Sequence, residues 1–454
     1  ALYAVNPASA VDTYNTAVGF GAGSVLTTGV QNTFVGSLCG DSTTVGNYNT
    51  ALGYQALTSN CNSNNTAIGY LAGASITGGF NTCLGQQAGV NLTSGTYNTY
   101  LGSEAGNGSG TTSGGSNVAV GYASLYSISS GGSNTGTGMW TMFSNTTGAN
   151  NVASGAYAMR YNTTGGHNVA IGRQAMHNNT TASDNTATGS QALQINTTGS
   201  SNSAFGRYAL LNNTTASQNT AVGRSSLQET TTGANNTGVG YRALYLNSTG
   251  AANTASGYGA LHDNTIGGSN VAIGHEAMQN NTTASYNVAV GVDALYHNTT
   301  GGNNTAVGAS ALLANTTGSE NVAVGHQTLD ANTTGASNTG LGRASLSANT
   351  TASGNTGVGE SALRFNTTGA NNVALGANSL DANTTGGDNV ALGYNALTAN
   401  TTAASNTAVG HSALAANTTG ASNTALGADS LKANTTASNN TAVGKGSMLR
   451  NTTG

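Results

Sequence analysis

Charge is scarce in this chain. Lys, Arg, Asp and Glu together make up 5% of its 454 residues, and the formal net charge at pH 7 is −4. The ten Lys and Arg residues form no basic stripe, and nucleic-acid binding needs clustered cations that displace counterions from phosphates. Long apolar runs are also missing, since no stretch approaches the ~18 residues of a membrane-spanning helix. We therefore expect no nucleic-acid partner and no membrane span.

Cysteine and proline are almost absent. The chain has one proline, Pro7, and three cysteines, Cys39, Cys61 and Cys83. An odd number of cysteines at these spacings matches neither a disulfide framework nor a zinc-binding pattern. We predict that the three cysteines are small buried side chains.

A 17-residue repeat runs along almost the whole chain. The motif Asn-(Thr/Val)-Ala-(Val/Leu/Ile)-Gly, or a close variant, returns from Asn117 to Asn440 at one spacing, because 440 − 117 = 323 = 19 × 17. The low charge and the many Gly and Ser residues would permit disorder, but a disordered linker has no reason to keep Val and Leu in fixed columns. A fixed short period instead predicts a stacked architecture. Six looser copies precede the regular ones and begin at Asn15, Asn32, Asn49, Asn65, Asn81 and Asn98.

The repeat at residues 304–320 illustrates the unit, whose positions we number 1 to 17 from its Asn. Thr305, Ala306 and Val307 alternate as in a strand, and Gly308 at position 5 suits a turn or a close backbone approach. A second short strand is predicted around Leu312 at position 9, and residues 315–318 form the return loop. The unit thus predicts one coil of an all-β parallel β-solenoid, or β-roll, of about 26 coils, with positions 2, 4 and 9 facing inward.

Position 9 divides the chain into segments. It is Leu or Met in every copy from Leu125 to Met448, but Gly in all earlier copies except at Leu57. We therefore expect a cap or connector at residues 1–14, an irregular Ala-Gly-type array at 15–106 and a regular Ala-Leu-type array at 117–454. The chain starts without Met and stops part-way through a repeat. Because natural solenoids normally cap their open edges, we expect that a segment has been removed or that another chain covers the edge.

The small residues at positions 3, 5 and 8 bear on assembly. We expect them to face outward, where a second backbone can approach closely, and a thin coil gains stability by burying surface between chains. We therefore predict a parallel homotrimer in which these small faces meet. End-to-end assembly of monomers is the competing geometry.

Two forms of the repeat resemble known fibrous proteins. Residues 287–294 and 321–328 resemble the head repeat of trimeric autotransporter adhesins, whose heads are left-handed parallel β-rolls of three packed chains. Their coil is shorter than 17 residues, so the Asn-Thr-Thr-Gly return loop is a departure. The Ala-Gly form at residues 81–89 looks like repeats of phage and environmental bacterial tail-fibre-like proteins, which often end in a self-cleaving chaperone. The resemblance covers residues 15–454 and implies a fibre or adhesin outside the cell or on a virion.

The residues offer little for catalysis, cofactor binding or metal binding. Residues 19–23 are glycine-rich, but Gly stands at position 5 of every copy, so they do not indicate a nucleotide site. The acidic residues are scattered, which argues against the calcium motif of β-helices. His275, His326 and His411 share column 6 but lie three and five coils apart, too far to share a metal at ~4.8 Å per coil. We therefore predict no enzyme, no cofactor and no metal.

Column 6 is the surface signal in the repeats. Its aromatic and cationic residues follow the invariant Gly and would line one corner of the coil. We interpret them as stacking that shields the corner or an inter-chain seam, or as a shallow stripe that binds glycans on a host surface. The candidate residues are Tyr54, Tyr70, Tyr122, Arg173, Arg207, Arg224, Tyr241, Tyr258, His275, His326, Arg343, Tyr394 and His411. The lone tryptophan, Trp140 at position 7, is interpreted as packing.

Most return loops carry Asn-Thr-Thr or Asn-Ser-Thr at positions 12–14, for example at residues 247–249. This is the acceptor pattern for N-glycosylation, yet modification at every coil would crowd sites ~4.8 Å apart. We favour an internal amide ladder.

The repeat pattern favours a structural fibre of a virion or cell surface that works by length, stiffness and multivalent attachment. A self-assembling extracellular filament or sheath subunit is the alternative. An ice-binding solenoid is a third hypothesis, because Thr at positions 13 and 14 recurs at regular spacing.

Overall fold

The computed structural model describes residues 12–453, in two compact units with a boundary between Thr232 and Gly233. Each unit is all-β, and neither contains a helix within the described range. Most of the predicted connector at 1–14, residues 1–11, lies outside that range. The first unit holds strands β1 (Thr16–Val18), β2 (Thr33–Val35), β3 (Thr50–Leu52), β4 (Thr66–Ile68), β5 (Thr82–Leu84), β6 (Thr99–Leu101), β7 (Val118–Val120), β8 (Thr135–Thr137), β9 (Val152–Ser154), β10 (Val169–Ile171), β11 (Thr186–Thr188), β12 (Ser203–Phe205) and β13 (Thr220–Val222). The second unit holds β14 (Thr237–Val239), β15 (Thr254–Ser256), β16 (Val271–Ile273), β17 (Val288–Val290), β18 (Thr305–Val307), β19 (Val322–Val324), β20 (Thr339–Leu341), β21 (Thr356–Val358), β22 (Val373–Leu375), β23 (Val390–Leu392), β24 (Thr407–Val409), β25 (Thr424–Leu426) and β26 (Thr441–Val443).

Within each unit every strand pairs in parallel with the strand one repeat away. In β18 and β19, for example, Ala306 lies opposite Ala323 and Val307 lies opposite Val324. The Thr305 backbone N–H donates to the Asn321 carbonyl, with 2.8 Å between N and O. Successive coils therefore stack in register, and the predicted parallel β-solenoid with one coil per repeat is confirmed.

The strand turns the opposite face inward from the one predicted. Ala306 at position 3 is fully buried, whereas Thr305 and Val307 at positions 2 and 4 are partly exposed. The interior is narrow: a Cβ added at Gly340, another position 3, would lie 2.5 Å from Thr328 Cγ2 and 3.5 Å from Leu329 Cδ1. Side chains from positions 8 and 9 thus leave room for only a small residue opposite them in these coils. The prediction was wrong for positions 2 and 4 and right for position 9.

The predicted second strand does not form. Residues at positions 7 and 9 are left-handed, with φ of 55° at Ser310 and 53° at Leu312, and left-handed residues interrupt an extended strand. Ser310 N–H donates back to Val292 O at 2.9 Å, while Leu312 N–H donates forward to Thr328 O at 3.0 Å. This stretch is therefore a hydrogen-bonded turn that links each coil to both neighbours.

The Ala-Gly and Ala-Leu coils share this turn. At position 9, Gly73 has φ 58° and Leu312 has φ 53°, so glycine is the unstrained residue and leucine adopts the same backbone. Without a leucine, other side chains fill the core. A Cβ on Gly73 would lie 2.7 Å from Ile76 Cδ1, and one on Gly106 would lie 2.4 Å from the Tyr100 ring. The change at position 9 is therefore a change of core packing within one fold.

The three cysteines are buried and free, as predicted. Burial raises the pKa of the Cys39 thiol from 9.0 to about 11 and that of Cys83 to about 12. Burial also raises the pKa of Cys61. The thiols are consequently protonated core side chains at neutral pH.

Candidate functional site

One uncharged stripe of each unit consists of the outward side chains of its strands. We call the residues at positions 2 and 4 the strand face; position 2 is Thr, Val or Ser, and position 4 is mostly Val, Leu or Ile. Ile273 is 43% exposed, Leu375 49% and Leu426 47%. No described strand contains a charged residue. Position 2 is mostly Thr, but position 4 forms an unbroken row of exposed or half-exposed apolar side chains from Ile273 to Val443. An exposed apolar row of this kind is typical of an interaction site, and sequence reasoning missed it because position 4 was expected inside.

Glycine at position 5 borders the strand face and is required there. Gly308 has φ +133°, and a Cβ on it would lie 2.5 Å from the Gly325 carbonyl oxygen in the next coil. Both the left-handed backbone and the close approach exclude a side chain. The predicted role of this glycine is confirmed.

The structure places every predicted column 6 residue at the surface, and all but the half-buried Tyr241 are exposed. Rings in adjacent coils stack where the sequence provides neighbours. The ring centroids of Tyr54 and Tyr70 lie 5.8 Å apart, those of Tyr241 and Tyr258 5.3 Å, and those of Tyr394 and His411 5.6 Å. Column 6 therefore contains short aromatic stacks. The cationic members Arg173, Arg207, Arg224 and Arg343, together with Tyr122, His275 and His326, lie in the same column.

Arg343 and Arg207 illustrate how column 6 arginines are held. Arg343 forms an ion pair with Glu360 in the next coil, and the Arg207 guanidinium lies over the Tyr208 ring, 4.3 Å from its centroid. Both arrangements are exposed and are therefore worth little stability. They hold the side chains against the corner of the coil, where solvent still reaches them.

An aromatic cluster around Trp140 was not anticipated beyond the packing of that residue. The Arg160 guanidinium carbon lies 4.7 Å from the Trp140 ring centroid and 5.3 Å from that of Tyr161. Trp140 packs edge-on against Tyr157 at 5.2 Å, which confirms its packing role. The signal was available in the sequence, because Phe143 and Arg160 share column 10 one repeat apart, and residues one repeat apart are neighbours in space.

The return loop contains the predicted amide ladder. Asn315 at position 12 is fully buried; its Nδ2 donates to Asn298 Oδ1 at 2.8 Å and to Gly318 O at 2.9 Å. A side-chain nitrogen that is buried and donates two hydrogen bonds in this way is not accessible for glycosylation. The prediction of a ladder is confirmed.

Threonines of the return loop serve two different roles. At position 13, Thr316 Oγ1 donates to Thr333 O in the next coil at 3.0 Å. At position 14, Thr317 is exposed. Of the two Thr columns proposed for ice binding, column 14 is exposed, whereas column 13 is half-buried and its hydroxyl groups bond to the next coil.

Comparison with known proteins assigns no family. No protein-family model matches the chain, and no curated protein is significantly similar to it. Among residues 12–453 there is no helix of the length and hydrophobicity needed to cross a membrane.

Proposed function

We propose that this chain is a non-enzymatic structural fibre of a virion or cell surface. In this role it provides length, stiffness and many copies of one surface for attachment. The observation that carries the proposal is the repetition of the same coil-to-coil hydrogen bonds through each unit. The resemblance to adhesin heads and tail-fibre repeats supports the same role.

Stiffness follows from several ladders that run in parallel along each unit. Besides the backbone pairs, Asn321 N–H donates to Asn304 Oδ1 at 2.9 Å, Asn315 to Asn298 at 2.8 Å and Thr316 to Thr333 at 3.0 Å. Bending a stack would open these bonds on one side. Each buried amide left without a partner costs about 1–3 kcal/mol, so bending is opposed at every coil.

We propose that three parallel copies associate through their strand faces. The predicted interface at positions 3, 5 and 8 was wrong because positions 3 and 8 are buried inside the coil, as at Ala306 and Ala311. The strand face is uncharged, with Thr or Val at position 2 and a mostly apolar position 4, so identical copies meet there without charge repulsion. Burying the exposed half of one Val or Leu contributes roughly 1 kcal/mol, a gain repeated at successive coils.

Sedimentation of the purified chain tests the assembly. We expect three times the 44.4 kDa chain mass for the wild type and a shift to monomer when Leu341→Glu and Leu375→Glu are combined. Thr351→Glu with Thr385→Glu is the matched control, because these exposed residues lie in the same two repeats at position 14. A stable wild-type monomer would refute the trimer, and a trimer indifferent to the leucine changes would refute this interface. Growth into end-to-end polymers would favour the filament alternative.

Column 6 is the proposed attachment surface for host glycans. The exposed, stacked rings of Tyr54 and Tyr70 present aromatic edges next to the strand face. On a glycan array we expect binding that weakens in Tyr54→Ala/Tyr70→Ala, with the Thr351→Glu/Thr385→Glu variant as control. Binding equal in all three proteins would exclude these rings as the contact.

Labelling with an antibody against the repeat tests the location and role. In the source culture we expect gold particles along thin appendages of virions or cells. Label confined to the cell interior would contradict the proposal. Hydrolysis of a polysaccharide that is lost on a point mutation within the repeats would contradict the non-enzymatic role.

A further inference from the structure

One corner of the second unit collects three side chains able to bind a metal ion. His275, Glu276 and Asp293 bring one imidazole nitrogen and two carboxylate oxygens within 4.8 Å of one another. His275 Nδ1 lies 3.9 Å from Glu276 Oε2. Such a cluster is notable because the whole chain has only 7 His and 14 acidic residues.

The coil backbone holds the three residues together. Asp293 N–H donates to the His275 carbonyl at 3.1 Å, so position 7 of one coil lies beside position 6 of the coil before it. Glu276 and Asp293 both occupy position 7, with φ of 52° and 54°. Because their backbones are alike and stacked, their side chains leave the coil in the same direction. Tyr258 stacks on the His275 ring, with 5.2 Å between centroids, and limits its rotation.

The two carboxylates lack a permanent positive partner among the described residues. Among residues 12–453 the only ion pair of Glu276 is with His275, which is charged only when protonated, and Asp293 forms none. Like charges in neighbouring positions of adjacent strands or coils repel each other. Desolvation raises the pKa of the nearby Tyr296, and the charges of Glu276, Asp293 and Asp263 add to that rise. A bound cation would remove this repulsion.

We propose that His275, Glu276 and Asp293 form a binding site for a divalent first-row transition-metal ion such as Zn²⁺. One imidazole nitrogen with two carboxylates suits these ions, whereas Ca²⁺ and Mg²⁺ prefer oxygen ligands alone. His275 is exposed, so water completes the coordination. The ion would tie two successive coils together at the surface of the fibre.

The same two columns provide a natural comparison further along the chain. His411 and Asp429 occupy the same positions in adjacent coils as His275 and Asp293, but Ser412 stands where the first set has Glu276. In addition, Asp429 is held by Lys432, with 2.8 Å between Nζ and Oδ1. With one carboxylate fewer and the other neutralised by lysine, this second corner should not bind the ion.

Isothermal titration of the untagged, chelator-stripped full chain with Zn²⁺ tests the proposal. We expect one saturable site per chain, with affinity lowered about tenfold or more by Asp293→Asn and by His275→Gln, since even indirect ligand changes cost 10–100-fold. His411→Gln is the matched control and should bind like the wild type. All three substitutions are at the surface of the coil, and circular dichroism should be unchanged.

Three outcomes would overturn the site. They are the absence of saturable Zn²⁺ binding, binding that Asp293→Asn leaves intact, and a loss in His411→Gln equal to that in His275→Gln. Titration with Ca²⁺ separates the donor types. Calcium binding as tight as that of Zn²⁺ and unaffected by His275→Gln would overturn the assignment of the imidazole as a ligand.

Discussion

Asn304 and Asn315 each donate a hydrogen bond from Nδ2–H to the same acceptor, the carbonyl oxygen of Gly318, with 2.9 Å between N and O in both. The two amides thereby join the start of the strand to the return loop and close the coil. Their own oxygens are used as well, since Asn304 Oδ1 accepts from Asn321 N–H at 2.9 Å and Asn315 Oδ1 accepts from Asn332 Nδ2 at 2.8 Å. A polar interior is stable here because its donors and acceptors pair along the stack.

The amide ladder of the return loops has a natural gap at Thr230. Thr230 stands at position 12 where its neighbours have Asn, and the buried Oδ1 of Asn213 has no hydrogen-bond donor among the described residues. Thr230→Asn should supply that donor and stabilise the coil by roughly 1 kcal/mol. Native-state hydrogen exchange of the Thr214 amide, which bonds to Thr231 O, would report slower opening. Faster exchange would show that the site has adapted to threonine.

Aspartate should disrupt the coil at Leu312 but not at Val307, although both residues are apolar. Leu312 is fully buried and Val307 is partly exposed on the strand face. Leu312→Asp places a carboxylate in the core and should open the local coils, at a cost of at least ~3 kcal/mol. Val307→Asp should leave the secondary structure intact and affect only assembly. Circular dichroism with hydrogen exchange distinguishes them; loss of the coil in Val307→Asp would contradict the observed orientation of the strand.

The two glycine columns should differ in their tolerance of alanine. Gly308→Ala introduces a Cβ at φ +133°, 2.5 Å from Gly325 O, and should cost about 2 kcal/mol or more. Gly318→Ala is the control: its Cβ would also approach backbone, but the same position is naturally alanine at Ala352, where Asn349 still donates to the carbonyl at 3.0 Å. We expect a cost below ~1 kcal/mol there. Equal decreases in the melting temperature of Gly308→Ala and Gly318→Ala would contradict this expectation.

Alkaline pH should destabilise the first unit through its thiols. Folding raises the pKa of Cys39 from 9.0 to about 11 and of Cys83 to about 12, so the folded state holds these protons more tightly than the unfolded state. The contribution of the two thiols to the free energy of unfolding is therefore complete below pH 9.0, and it is lost as the pH rises toward about 11–12. Unfolding followed from pH 8 upward should show this loss, and the Cys83→Ala variant should lose less stability over the same pH range.

The burial of the thiols can also be tested directly. An aromatic disulfide reagent should label no cysteine at pH 8 until denaturant is added; prompt labelling would show that the thiols are accessible.

The repeat period, the parallel register and several buried positions could be predicted from the sequence. Leu312 recurs at a spacing that no loop would preserve, and Asn315 recurs beside Thr-Thr-Gly, so both were recognised as interior. Column 6 was placed at the surface correctly because its residues are large, polar and variable. The His275, Glu276 and Asp293 cluster was missed, since column 6 and column 7 were treated separately. Their adjacency depends on the Asp293 N–H to His275 O bond, which follows from turn geometry.

Periodicity alone was enough to establish stacked coils, because a 17-residue repeat with fixed apolar and amide columns has no other way to bury them together. Periodicity left open which side of each strand faces inward. A three-residue strand such as Thr305–Val307 has two faces, and a change of one residue exchanges them. The width of the interior settled the choice: side chains from positions 8 and 9 occupy it, so Ala306 enters and Val307 is turned outward. The same three-dimensional packing places the apolar side chains of position 4 in a row on the strand face, which no single coil reveals.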